Sequence, residues 1–202
     1  MPYVTTELNP EAVIVATVVL FHSVYGLCPL ELDAVERLQA AGHEAFAPDL
    51  YDGWVASSID EGFELKDEIG WATICERAEW AMAGLPPSTV LGGFSMGAAV
   101  AASLWPMRPQ AAGMLFIHSI AQISENARKG LPVQVHLADP DRFEPAEDVA
   151  RWRSLAERSQ IAADLFTYPG AGHLYTDPSL PDHDAKAADL TWSRVIRFLD
   201  TL

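Results

Sequence analysis

The chain alternates between two hydrophobic rhythms. The run Ala12-Val13-Ile14-Val15-Ala16-Thr17-Val18-Val19-Leu20-Phe21 is β-branched and almost wholly apolar, which predicts a strand covered on both faces. Pro29 then opens a predicted helix reaching about Ala41, with Leu30, Ala34, Val35 and Leu38 as its buried stripe and Gly42 in the C-cap position. His43 to Ala47 predicts a short second strand, stopped by Pro48-Asp49. Residues 51–64 are rich in Gly, Asp and Ser and predict a long connection. A single helix is expected from Leu65 to Ala83, ended by Gly84 and Pro86-Pro87. Ser88 to Gly92 predicts a strand, and the helix after it ends near Trp105-Pro106. Strands follow at Gly113–His118, Val133–Ala138 and Ala162–Tyr168. Helices are expected from Pro145 to about Ser159 and from Asp184 to Leu199, the last with Ala188, Trp192, Val195, Ile196 and Leu199 facing inward.

Strands and helices taken by turns make a mostly parallel sheet with helices on both faces. No repeat, linker or insertion interrupts the pattern, so residues 1–202 read as one domain without a cap. A chain of 202 residues with 50% apolar content can bury a full core. Its 13 Lys and Arg against 28 Asp and Glu leave a net charge of −15, which argues against nucleic acid or an anionic membrane as partner. Two cysteines, Cys28 and Cys75, make neither a disulfide framework nor a metal-spaced pair. The most apolar run has ten residues, well short of the roughly 20 that span a bilayer. The first seven residues lack the basic flank of a leader peptide. The expectation is a cytoplasmic protein, monomer or homodimer, without metal or cofactor.

In parallel sheets of this kind ligands gather at the carboxyl ends of the strands. There, between a predicted strand and helix, stands Gly93-Phe94-Ser95-Met96-Gly97. This is a G-x-S-x-G nucleophile elbow, a sharp turn that pushes the serine oxygen clear of the strand. A serine hydroxyl needs a base. His173 lies in a glycine-rich loop past the last strand, Tyr168-Pro169-Gly170-Ala171-Gly172-His173, where a flexible backbone would turn the imidazole toward the elbow. The base needs an acid to orient it. Asp141, beyond Pro140, is the first choice, and Asp139, almost on the strand end, the second. The order Ser, Asp, His is the one that this topology imposes. For an oxyanion hole, the Met96 N–H starts the elbow helix. Gly26 permits a bend in Phe21-His22-Ser23-Val24-Tyr25-Gly26-Leu27 that presents the N–H of Val24 or Ser23.

Together Phe21–Leu27, Ala47-Pro48-Asp49-Leu50-Tyr51, Gly93–Gly97, Asp141-Arg142-Phe143 and Ala171-Gly172-His173 resemble the dienelactone hydrolase family of the α/β-hydrolase superfamily. The resemblance implies a compact α/β-hydrolase fold that cleaves esters and lactones without a cofactor. It also assigns the acid role to Asp141 and the second oxyanion amide to Val24. Three positions depart from the family pattern. Ser95 stands where the best-known members have cysteine, Ser23 where they have glutamate, and Asp177 where they have an arginine that holds a substrate carboxylate. An aspartate there repels an anionic substrate at short range.

The expected activity is therefore hydrolysis of a carboxylic ester or lactone of a small soluble substrate, through an acyl-enzyme on a Ser95-His173-Asp141 triad. Thioester or other acyl hydrolysis on the same triad is the alternative within the class. A catalytically silent binding protein of the same fold is the alternative outside it. His22, Ser23, Tyr25, His118 and Tyr175 are possible pocket residues, with Trp54, Phe63 and Met96 as apolar lining. His22 and His118 read equally well as structural, and Arg142 either holds a substrate carboxylate or pairs with Glu144.

Overall fold

A computed structural model describes residues 15–202. The start of the first expected strand, Ala12 to Ile14, and the residues read for a leader lie outside the described residues. The elements run β1 (Thr17–Phe21), α1 (Pro29–Ala40), β2 (Glu44–Phe46), α2 (Ile59–Ile69), α3 (Trp71–Ala81), β3 (Val90–Phe94) and α4 (Met96–Leu104). They continue as β4 (Met114–Ile117), β5 (Pro132–Asp139), α5 (Ala146–Ser159), β6 (Ala162–Pro169) and α6 (Ala185–Leu199). The six strands form one sheet in the order β2-β1-β3-β4-β5-β6, and every pairing is parallel.

Alternate strand residues supply two cores. Val19 and Phe21 of β1, Leu91 of β3, and Met114 and Phe116 of β4 meet Ile74 and Ala78 of α3, Val100 of α4 and Trp152 of α5. On the opposite face Val18, Leu20, Val90, Phe94, Leu115 and Ile117 meet Leu30, Ala34 and Leu38 of α1 with Trp192, Val195 and Leu199 of α6. The continuous apolar runs of the strands thus reflect burial on both faces. The chain leaves β1 for β2 on one side and returns to β3 on the other. The carboxyl ends of β1 and β3 are thus the switch point of the sheet, where open parallel sheets place their ligand sites.

One expected helix is two. Ser58 caps α2, its hydroxyl accepting the Glu61 N–H at 3.2 Å, so residues 59–64 belong to a helix and not to the connection. Gly70 then takes φ +85° and ends α2 directly before α3. The left-handed region suits glycine, and the two short helices carry separate apolar stripes. The apolar positions from Leu65 to Ala83 therefore belong to two helices and not to one.

Candidate active site

Ser95 stands between β3 and α4 with φ +50° and ψ −110°, a backbone region that non-glycine residues rarely occupy. Its N–H is fixed to Ile117 O at 2.8 Å. The flanking glycines are demanded by contact. A Cβ on Gly93 would fall 2.3 Å from the Gly97 carbonyl, and one on Gly97 would fall 2.0 Å from Phe21 O. Only bare Cα atoms let strand, turn and helix close up this tightly, and the same closeness sets the first turn of α4 on the end of β1.

The structure brings Ser95, His173 and Asp141 together from three loops. Ser95 Oγ lies 2.9 Å from His173 Nε2, and His173 Nδ1 lies 2.7 Å from Asp141 Oδ2. Asp141 Oδ1 accepts the Phe143 N–H at 2.9 Å. Asp141 and His173 are 8% and 7% exposed. With the ring neutral, Nδ1–H donates to the carboxylate and Nε2 is free to accept the serine proton. Asp139 stays exposed on the strand end, where its carbonyl accepts the Gly170 N–H at 2.8 Å.

The loop that carries His173 is anchored rather than loose. A Cβ on Gly172 would meet Asp182 Cγ at 2.6 Å, so that glycine serves close packing, not flexibility. Beyond the histidine, Tyr175 OH lies 2.7 Å from Thr191 Oγ1 and Thr176 Oγ1 lies 3.0 Å from His118 Nε2.

Most of the possible pocket residues belong to this framework. His22, His118 and Tyr175 are wholly buried, which removes them from contact with an incoming substrate. His22 Nε2 accepts the Leu50 N–H at 3.0 Å, and its Nδ1 lies 2.7 Å from Ser23 O. It ties the end of β1 to the loop before Tyr51. His118, held with φ +67°, backs His173 with ring centroids 6.1 Å apart. Desolvation lowers the pKa of both His22 and His118. Ser23 is buried as well, its hydroxyl accepting the Tyr25 N–H at 3.3 Å. Tyr25 alone of the five keeps substantial exposure. Burial, then the nearby Asp182 and Asp177 carboxylates, raise its phenol pKa.

Sequence reasoning passed over Phe143 and Glu31 as neighbours of the site, whereas Phe63 was among the expected apolar lining. Phe143 lies beside His173 with ring centroids 4.6 Å apart, and Phe63 of α2 stands 6.2 Å further on. Both rings are more than a third exposed, so an apolar wall flanks the histidine. Arg142 lies over the Phe143 ring at 4.6 Å, while Glu144 takes the Ser119 hydroxyl. The second neighbour is Glu31 in the first turn of α1. The only hint was an acid three residues after Cys28, ahead of an apolar stripe, as in a capping box.

Two backbone donors face the question of an oxyanion. No acceptor among the described residues takes the N–H of Met96 or of Val24. A Cβ on Gly97 would also fall 2.8 Å from His22 O, so the helix start and the Val24 loop are near neighbours. On its other side the loop meets α2, where a Cβ on Gly62 would fall 2.5 Å from Val24 O. Among the described residues no group of three His, Cys, Asp or Glu is arranged to hold a metal ion, and no helix is long and apolar enough to cross a membrane.

A sequence model described as the dienelactone hydrolase family matches residues 4–202. No curated protein matches the chain. Among solved structures, a dienelactone hydrolase-like promiscuous phosphotriesterase from metagenomic libraries is 21% identical, with TM-score 0.74 over 93% of this chain and 86% of that one. A protein described as a dienelactone hydrolase from Klebsiella pneumoniae is 20% identical, with TM-score 0.75 over 93% and 88%. Esterase PE8 is 18% identical, with TM-score 0.59 over 91% and 92%. These likenesses carry the fold, which is that of the α/β-hydrolases without a cap among the described residues.

Proposed function

Since the chain belongs to the dienelactone hydrolase family and is a hydrolase, we propose that it cleaves a carboxylic ester or lactone of a small substrate through an acyl-enzyme on Ser95. One observation carries this reading: the unbroken relay from Ser95 Oγ through His173 to Asp141, at 2.9 and 2.7 Å. His173 Nε2 takes the Ser95 proton as Oγ attacks the carbonyl carbon. The carbonyl oxygen becomes an oxyanion, held by the N–H groups of Met96 and Val24. The tetrahedral adduct collapses, its carbon–oxygen bond to the leaving alcohol breaks, and the alcohol takes the proton from His173. Water then gives a proton to His173 while attacking the acyl-enzyme, and the carboxylic acid departs as Ser95 recovers its proton. Asp141 stays ionised and balances the imidazolium.

The Phe63 and Phe143 wall favours an apolar group next to the scissile bond. Asp177 and Asp182 near Tyr25 disfavour a carboxylate on the substrate, which separates this chain from dienelactone itself. The test is a fluorophosphonate probe with the labelled residue found by mass. Labelling at Ser95, lost in Ser95→Ala and weakened in His173→Ala, is expected. Folded protein that takes no label at Ser95 overturns the proposal and leaves a silent fold.

A further inference from the structure

The loop between β1 and α1 is held by its amides. The N–H of Tyr25 goes to Ser23 Oγ at 3.3 Å, and that of Gly26 to Ser23 O at 3.2 Å. Two more go to one side chain. Glu31 Oε1 accepts the Ser23 N–H at 3.2 Å, and Glu31 Oε2 accepts the Cys28 N–H at 3.0 Å. Both oxygens of a single carboxylate thus grip the two ends of a six-residue segment. The Val24 N–H, inside the grip, takes no acceptor among the described residues.

Glu31 is 0% exposed. Among the described residues no Lys, Arg or His lies within ion-pair distance of it. A buried carboxylate without a counter-ion is destabilising. Capping α1 does not require it, because a glutamate in the first helical turn caps equally well at the surface. Burial pushes the Glu31 carboxyl up to about 7, opposed by the Cys28 and Ser23 amides, with the Asp177 carboxylate adding a smaller upward push. What distinguishes Glu31 from an ordinary cap is its reach back over eight residues to Ser23.

We propose that Glu31 is a positioning residue of the hydrolytic site, clamping the loop so that the Val24 N–H meets the developing oxyanion. The role rests on the reading of Val24 as a donor given under Proposed function. Ground-state binding does not need that donor as the transition state does, so loss of the clamp falls on the chemical step.

The experiment compares wild type with Glu31→Gln, which keeps the volume and one acceptor oxygen but sets an NH₂ against a backbone N–H. Substrates are short-chain 4-nitrophenyl esters. The second ligand is a trifluoromethyl ketone, which adds to Ser95 as a tetrahedral oxyanion. Near-UV circular dichroism checks the fold. The expected result is a kcat lower by about 10- to 100-fold with KM within about 2-fold. Ketone affinity should fall by the same factor as kcat/KM. If Glu31→Gln does not fold, Glu31→Asp, too short to reach both amides, is read the same way. A folded variant with unchanged kcat, or with reduced kcat but unchanged ketone affinity, overturns the role. Wild type that neither hydrolyses the esters nor labels at Ser95 overturns the hydrolase reading as well, so the two failures are distinct.

Discussion

Replacing Gly97 by alanine puts the geometry of the elbow to a demanding test. In an ordinary helix the change is stabilising, because glycine is about 1 kcal/mol worse than alanine. Here the sign reverses. The new Cβ would lie 2.0 Å from Phe21 O, 2.5 Å from Phe21 C and 2.8 Å from His22 O. All three are backbone atoms, so no side chain can swing aside. Restoring a separation of 3.0 Å, below which real Cβ atoms essentially never approach, requires α4 and the end of β1 to part by about 1 Å. Overpacking of this kind costs about 1–3 kcal/mol, and in a chain of this length that lowers Tm by roughly 2–12 °C. The same displacement separates the Met96 N–H from the Val24 N–H. A misplacement of about 1 Å at a reacting centre is worth on the order of 100-fold in rate. Thermal unfolding followed by circular dichroism and kcat/KM on an aryl ester read the two effects. If Gly97→Ala is as stable as wild type and within about 2-fold of its activity, the close approach of strand and helix is not what shapes the site.

Asp141→Asn keeps the shape of the relay but donates to His173 Nδ1, which forces the proton onto Nε2 and leaves Ser95 without an acceptor. A kcat loss of about 10³- to 10⁴-fold with KM little changed is expected on aryl esters, against Asp139→Asn at near wild-type rate. Stability should fall with acid. His136 is buried and its pKa is lowered to about 3 by desolvation, then by the Arg194 charge. The unfolded chain binds that proton near pH 6.5 and the native state does not. The His136 contribution is thus complete above about pH 6.5 and is lost progressively as the pH falls toward about 3. His22 and His118, shifted the same way, add to the slope. Glu31 has the opposite sign, because its raised carboxyl makes the native state bind more protons than the unfolded chain between about pH 4.5 and about 7. Urea titrations of wild type and Glu31→Gln between pH 5 and pH 6.5 should show the steeper rise of stability with pH in the variant. Parallel slopes would show that Glu31 is not buried as an acid.

The fold was legible wherever both sequence periods were strong. Strands such as Met114–Ile117 and Val90–Phe94, apolar without a break, declared burial on both faces and so a parallel sheet. Ser95 and His173 were legible because chain order and topology restrict where such groups can meet, while Asp141 was first choice over Asp139 and was assigned by the family resemblance. What the pattern concealed was phase and depth. Gly70 broke a helix that apolar spacing had joined, since a positive φ leaves no mark except the glycine itself. His22, His118 and Tyr175 sit in the right loops, but whether a side chain turns outward or into the framework depends on partners such as Leu50, Thr176 and Thr191, which are remote in sequence. Glu31 was hidden for the same reason. A charged residue in a first helical turn ordinarily faces water, and only the return of the loop to Ser23 draws it in.

Several departures from local rules fall close together, although Asp52 and Gln160 also hold a positive φ elsewhere. Ser95 holds a positive φ without being glycine. Gly97 and Gly62 press on the β1 loop from two sides at distances that no side chain tolerates. Glu31 places a buried carboxyl, without a counter-ion among the described residues, under the same loop. Each lowers stability or narrows the sequences the fold accepts, and each acts on residues 21–28 or on the turn at Ser95. A protein of this fold serving only to bind would gain by relaxing them. With α4 and β1 set further apart, an alanine at position 97 would improve α4, and a polar residue without an acidic group at position 31 would remove a buried carboxyl. Strain gathered around one hydroxyl and two amides without an acceptor among the described residues is what preorganised oxyanion chemistry requires. The places where the molecule accepts instability thus favour a working hydrolase over a silent one, apart from the serine motif.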